Sequence, residues 1–419
     1  MTSRPDRAKF GAAGVANLQG KLPNPFPREM GPNTLKYLQE VVTSGLTADM
    51  VTRFEKAFAE AHGVRHCVAT PGCTPALAVL AAALPFAPGD EIIVSPITDY
   101  GTLCGLLSEN CIPVFADTEP GTVNLSARTV EPCISDRTRA ILVVHKTGLI
   151  CDMDPINELA ARHGLFVYED ACQAVFSRYK GRLAGTLSQA ACFSFDSEKT
   201  MGSDMGGCIL TNDDEFAERL RLMGHSRGAA EIPGFGRAHV EHGYAYRMPL
   251  CTAAVTLAQL EIIHSQVARR DAMARLLTQM LAQIPGVTPL PIPDYVDVYS
   301  CWMYGFSLDR EAFGCGADEF AAQVARKGIP GAGTGRYYLM PEALYFLQEQ
   351  AQTQTYPFSL PPASRAYHYG PDTCPTAHAF LDRFIRWSTF CDKYTPEHCE
   401  IAAEIIRRVA ERNRKETND

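Results

Sequence analysis

Seven short apolar runs between residues 66 and 211 limit the folds open to this chain more than any other feature. They are His66-Cys-Val-Ala, Glu91-Ile-Ile-Val, Ile112-Pro-Val-Phe-Ala, Ala140-Ile-Leu-Val-Val, Leu165-Phe-Val-Tyr, Ala191-Cys-Phe-Ser-Phe and Gly207-Cys-Ile-Leu. Helical stretches separate most of them: Thr74 to Leu84, Gly101 to Glu109 and Ile156 to His163. Strands that are apolar at successive positions are buried on both faces, so the pattern reads as α/β, a mostly parallel sheet flanked by helices. In such sheets the ligand crevice lies beyond the carboxyl ends of the strands. Candidate chemistry is therefore sought where these runs end.

Residues 1–33 are rich in Pro, Gly and Arg and read as an irregular arm. From Thr34 to Ala61, Leu35, Leu38, Val41 and Val42, then Val51, Phe54 and Phe58, recur at helical spacing around Ser44-Gly45, which predicts two helices and a turn. Thr211-Asn-Asp-Asp-Glu opens a helix through Leu222, its first-turn acids suited to the helix dipole. A polar loop from His225 to His242 and one long helix from Leu250 to Leu281 follow. After Pro285 a second unit begins, with strand-like Cys301-Trp-Met-Tyr-Gly-Phe and a closing helix from Pro396 to Arg412. The expected domains are the arm (1–33), a large domain (34–284) and a smaller C-terminal α+β domain (285–419).

Apolar residues make up 46% and charged residues 21%, enough for a large core and contrary to wholesale disorder. Lys plus Arg is 39 against 47 Asp plus Glu, a net charge of −8, and no basic run appears, which argues against nucleic acid as a partner. No stretch approaches 18 uninterrupted apolar residues and no signal h-region is legible, so no membrane span is expected. The fifteen cysteines include no C-x-x-C pair and read as reduced, buried thiols of a cytoplasmic protein.

Three strand ends carry candidate chemistry. Asp170 closes Phe166-Val-Tyr-Glu-Asp, and a carboxylate there needs a cation or donor, such as a protonated ligand nitrogen. A purely structural, hydrogen-bonded carboxylate fits the residues equally well. Lys199 follows the run that ends near Ser194, where partial desolvation makes a lysine nucleophilic toward carbonyls; a surface lysine is the alternative. Thr74, before Pro75, sits where a helix N-terminus favours phosphate, or acts as an ordinary N-cap.

Further motifs join these three in order: Ser44-Gly45, Phe54-Glu55-Lys-Ala-Phe-Ala, Cys73-Thr-Pro-Ala-Leu, Ala87-Pro-Gly-Asp-Glu-Ile-Ile-Val and His145-Lys-Thr-Gly with Asp152-Met-Asp-Pro-Ile. Glu169-Asp-Ala-Cys-Gln-Ala, Phe193-Ser-Phe with Lys199, Gly206-Gly207 with Thr211-Asn212-Asp213, and Gly243-Tyr-Ala-Tyr-Arg-Met before Gln259-Leu260 follow. From about Leu35 onward the chain resembles the DegT/DnrJ/EryC1/StrS family of pyridoxal-phosphate-dependent aminotransferases. The resemblance implies the fold-type I PLP-transferase architecture. It implies Lys199 as the amine that carries the cofactor and shuttles a proton, and Asp170 as partner of the pyridinium nitrogen. Gln173 would bond the phenolic oxygen; Ser194 and Thr74, with the backbone near Cys73, would hold the phosphate.

The departures from the family pattern mark residues to watch. Cys73 stands where glycine is usual. Thr98 is followed by Asp99, with Tyr100 one place later, so either Tyr100 stacks on the ring or Asp99 serves the substrate. Ala245 stands where the family has an asparagine that reaches the neighbouring subunit's phosphate, so that contact is either missing or supplied by another group, Arg247 or a residue of the His225 to His242 loop. Arg336, Tyr337 and Tyr338, after a Gly331-Ala-Gly-Thr-Gly segment read as a flexible loop near the cleft mouth, are substrate candidates. His239 and His242 lack a nearby third ligand, so no metal is expected.

The implied activity is ping-pong transfer of an amino group from Glu or Gln, through pyridoxamine phosphate, to a ketone on a sugar, nucleotide-sugar or cyclitol, in a homodimer. Alternatives are a PLP-dependent lyase or replacement enzyme and a non-catalytic PLP-binding sensor, the latter kept open by Ala245, Cys73 and Asp99. Related pyridoxamine-dependent dehydratases carry histidine at the position of Lys199, which argues against that chemistry.

Overall fold

Alternate residues of the run at Ala140 feed different cores: Ala140 and Leu142 pack into one, Ile141 and Val143 into another. That two-sided burial is why the run is apolar at every position. In the computed structural model, which describes residues 20–359 and 366–415, all seven runs become strands of one sheet. They are β1 (His66–Thr70), β2 (Glu91–Val94), β3 (Ile112–Phe115), β4 (Thr138–Val144) and β5 (Phe166–Asp170), then, after a hairpin of β6 (Arg178–Tyr179) and β7 (Arg182–Leu183), β8 (Ala190–Ser194) and β9 (Gly207–Thr211). The order is β1-β9-β8-β5-β4-β2-β3. β9 runs antiparallel to both of its neighbours, and the other pairings are parallel.

Two helices start at the carboxyl ends of strands: α3 (Cys73–Ala83) after β1 and α4 (Gly101–Ser108) after β2. They touch at backbone distance, since a Cβ on Gly105 would lie 2.6 Å from the carbonyl oxygen of Leu77. On the opposite face α1 (Thr34–Thr43) and α2 (Met50–His62) cover the sheet, with Phe54 and Phe58 packed edge-on against Phe195. The arm upstream of α1 is tied down where it is described: the Lys393 ammonium donates to the carbonyls of Asn24 (3.0 Å) and Pro27 (2.6 Å).

Three expectations are corrected. The helix predicted from Leu250 to Leu281 is two, Leu250–Leu260 and Ile263–Leu281. The break falls at Glu261, whose carboxylate accepts from Tyr37 (2.7 Å) and Asn33 (3.0 Å) beside α1, so a tertiary bond rather than Gly or Pro sets it. The polar loop contains a hairpin, β10 (Ala229–Ile232) and β11 (Gly236–His239), turned by Gly234 and Gly236 at φ +78° and +86°. The Gly331 segment is not a free loop: Ala332–Thr334 is an edge strand of a second sheet.

That second sheet, wholly antiparallel, follows Pro285: β12 (Val287–Pro289), β14 (Tyr304–Leu308), β16 (Phe384–Trp387) and β15 (Ala332–Thr334) in that order. Between β12 and β14, β13 (Val296–Val298) reaches back to pair with β6. The closing helix, Pro396–Asn413, is capped by the Thr395 hydroxyl, which accepts from the N–H of His398. Among the described residues no helix is long and apolar enough to cross a membrane.

Candidate active site

The carboxyl ends of β1, β2, β5 and β8 open on a single cleft of about 280 Å³. Cys73, Thr74, Asp99, Asp170, Ser194 and Lys199 all line it. The amine and the carboxylate singled out in the sequence thus face one cavity. Antiparallel β9 brings its amino end, Gly206-Gly207, to the same edge. Gly207 lies opposite Thr70 on one side and Ser194 on the other, and a Cβ on it would lie 2.4 Å from the backbone of Gly72. Gly207→Ala is expected to cost about 1–3 kcal/mol by forcing that turn aside. Urea denaturation reads the stability, and cofactor titration reads a weaker phosphate grip.

Asp170 is 6% exposed and its carboxylate is satisfied from the protein side. Thr102 Oγ1 donates to Oδ2 at 2.7 Å and the N–H of Cys172 donates to Oδ1 at 3.2 Å. Thr102 in turn shares a 2.6 Å bond with the hydroxyl of Thr98. Strand alternation sends Glu169 to the opposite face. There it meets His145 Nε2 (2.9 Å) and accepts from the N–H groups of Gly185 (2.7 Å) and Leu187 (2.8 Å), with no exposure on either side chain of the Glu–His pair. β5 is therefore pinned at its carboxyl end from both faces. Thr102→Val removes a donor from a buried carboxylate and is expected to cost about 1–3 kcal/mol. Its measurable signs are a lower denaturation midpoint and looser cofactor retention.

Lys199 lies in a turn after β8 that Asp196 builds, its carbonyl accepting the Lys199 N–H at 2.9 Å. The Arg28 guanidinium holds this turn from outside, donating to the carbonyls of Ser197 (2.5 Å) and Lys199 (2.8 Å). Burial pulls the pKa of Arg28 below its ordinary value, with repulsion from Arg270 adding to it. Trp302, from the segment between β13 and β14, places its ring 4.3 Å from Lys199 Nζ and donates Nε1–H to the carbonyl of Glu198 at 2.9 Å. Neither Arg28 nor Trp302 was singled out in the sequence, because both are remote from Lys199 along the chain.

The residues present fit pyridoxal phosphate. The N-terminus of α3, with the Thr74 and Ser194 hydroxyls on the cleft, suits a phosphate. The absent side chain of Gly101 leaves Thr74 its space, for a Cβ there would lie 2.6 Å from Thr74 Oγ1. A buried carboxylate and an amine complete the set. Cys73 and Cys172 have their sulfurs 2.6 Å apart beside Asp170. Burial pushes the Cys73 thiol up to about 12 and raises the Cys172 thiol well above its ordinary value, so neither adds charge near neutral pH.

Other sequence candidates stand elsewhere. Gln173 is buried next to the cleft, its carbonyl oxygen accepting from the N–H of Thr147 at 2.6 Å, which leaves its NH2 end to donate. Tyr100 is 44% exposed at the start of α4, edge-on to Phe346, and is not a lining residue of the cleft; Asp99 is. Arg336 pairs with Glu342 (3.1 Å) and Asp382 (3.0 Å) and is not a lining residue of the cleft. Arg247 and Ala245 are exposed and outside it, beside stacked Tyr244 and Tyr246.

The model of the DegT/DnrJ/EryC1/StrS aminotransferase family matches residues 28–370. The chain belongs to this family. It is 39% identical over 258 residues to the GDP-perosamine synthase of Caulobacter vibrioides, covering 62% of this chain and 69% of that protein. It is 33% identical over 331 residues to the spore coat polysaccharide biosynthesis protein SpsC of Bacillus subtilis, covering 77% and 84%. Among solved structures, 3-amino-5-hydroxybenzoic acid synthase superposes with a TM-score of 0.77 at 25% identity over 93% of this chain and all of that one. As a DegT/DnrJ/EryC1/StrS member the chain is an aminotransferase of the fold-type I architecture.

Proposed function

We propose that this enzyme moves an amino group from glutamate or glutamine to a ketone on a sugar, nucleotide-sugar or cyclitol, using pyridoxal phosphate in the cleft described above. The observation that carries the reading is the single cleft shared by Lys199 and Asp170. When bound, pyridoxal phosphate supplies the electron sink that lets an amino acid lose its α-proton. Lys199 takes that proton and returns it. Asp170, fixed by Thr102 and the N–H of Cys172, keeps a ring nitrogen protonated. Thr74, Ser194 and the first N–H groups of α3 hold the phosphate, and the NH2 of Gln173 donates to the phenolic oxygen.

The names of the two relatives, a GDP-sugar synthase and a polysaccharide biosynthesis protein, support a sugar acceptor. A homodimer accords with the uncovered apolar side chains of α1 and the turn after it, Leu35, Val42 and Leu46, and with Phe235 at the hairpin tip. The test is optical and chemical. Protein loaded with pyridoxal phosphate shows a visible band that glutamate or glutamine bleaches, and an added ketosugar restores it. Borohydride reduction followed by peptide mapping puts the cofactor on the Lys199 peptide. Bleaching with no amine transferred to any ketone would favour a lyase, and no response to either amino acid would favour a sensor.

A further inference from the structure

Lys146, two residues past the end of β4, has no role in the account above. It stands in a tight turn, with Thr147 and Gly148 at φ +62° and +95°. The N–H of Thr147 is held by Gln173, and the N–H of His145 donates to the carbonyl of Asp170 at 3.2 Å, so the turn is fixed to β5. The Lys146 side chain is 3% exposed, and its Nζ has no hydrogen-bond partner among the described residues. It lies 3.4 Å from the centre of the Tyr338 ring. Tyr338 belongs to the segment that closes over the strand ends, its carbonyl accepting from the N–H of Thr98 at 2.9 Å. The charged groups facing Lys146 are Lys199, Asp99 and Asp170, all lining the cleft, and Arg386, whose guanidinium is 5.8 Å from the same Tyr338 ring. A buried amine with three donors and no acceptor costs free energy that an aliphatic side chain of equal length would avoid. Packing alone therefore does not account for a lysine here.

We propose that Lys146 anchors the α-carboxylate of the amino-acid donor. The inference rests on the aminotransferase reading and goes further into the same site. Lys146 is not itself a lining residue of the cleft, but three of the charges that bear on it, Lys199, Asp99 and Asp170, are, so the substrate group that comes nearest its ammonium is a small one attached directly to the reacting carbon. The α-carboxylate is such a group; a ketone on a sugar ring has neutral carbons in that place. One pocket must thus take an anion in one half-reaction and nothing charged in the other. A lysine that titrates near neutrality meets both demands. Burial, first, and the charge of Lys199, second, pull Lys146 down to about 7, against the opposing pull of Asp99 and Asp170. An arriving carboxylate favours the protonated form, so the proton drawn from solvent on binding grows as pH rises through about 7 and fades well below it.

The probe is glutarate, a dicarboxylate without an amino group, titrated by calorimetry into the holoenzyme at pH 8 in two buffers of different ionisation enthalpy. Wild type is expected to take up more protons per site than Lys146→Met, and to bind about tenfold or more tightly. Lys146→Arg restores affinity without the proton uptake, because guanidinium stays charged throughout. Equal affinity and equal proton uptake in wild type and Lys146→Met would overturn the proposal. Should that variant not fold, wild-type glutarate affinity is expected to decline as pH rises through 7, and a flat profile would overturn it equally. The aminotransferase reading fails by a separate sign, a cofactor band indifferent to glutamate and glutamine, which glutarate binding does not report.

Discussion

Replacing Lys199 with alanine is expected to end amine transfer and remove the visible band of the loaded protein. Proton transfer by a positioned base is worth about 10²–10⁴ in rate, and in the function proposed above the same amine also carries the cofactor, so the combined loss is expected to exceed that range. The fold should survive. The Lys199 side chain is half-buried, its ammonium rests on the Trp302 ring, and its backbone bonds to Asp196 and Arg28 are made by groups that alanine keeps. Circular dichroism and the denaturation midpoint are thus expected to match wild type while single-turnover reaction with glutamate or glutamine disappears. Turnover that persisted in Lys199→Ala would defeat the assignment.

The largest stability loss is expected at Glu169, a residue that need not touch any ligand. Glu169→Ala strands His145 together with the N–H groups of Gly185 and Leu187, all in an interior without water-accessible surface on the pair. Removing one partner from such a buried network costs about 3–5 kcal/mol. A lower urea midpoint at unchanged m-value is the expected record. Since Glu169 and Asp170 are adjacent on β5, cofactor affinity falls with it. Glu169→Gln keeps one acceptor oxygen and is expected to lie between.

The strands were legible because burial on both faces writes itself into consecutive apolar residues, as in Ile141-Leu-Val-Val. Cys73, Thr74, Asp170, Ser194 and Lys199 were legible because each stands at a strand end or just beyond it. What escaped the sequence depends on contacts between distant segments. Glu261 interrupts a helix because Tyr37 and Asn33 bond it, and nothing local to residue 261 announces that. Asp99 lines the cleft where Tyr100 does not, a choice made by the rotation of the first turn of α4 rather than by residue type. Lys146 read as one letter of a motif; its burial beneath Tyr338, almost two hundred positions away, is what gives it meaning.

The grip of Arg28 on the carbonyls of Ser197 and Lys199 ties the stretch ahead of the first helix to the turn that carries Lys199. A protease nick between Phe26 and Arg28 would leave the seven-stranded sheet whole, yet it would slacken the tether on the Lys199 turn, and with it the amine transfer proposed for this cleft. Such a clipped enzyme would look healthy on a gel filtration column and work poorly, so preparations are better judged by the intactness of this leading segment than by their folding.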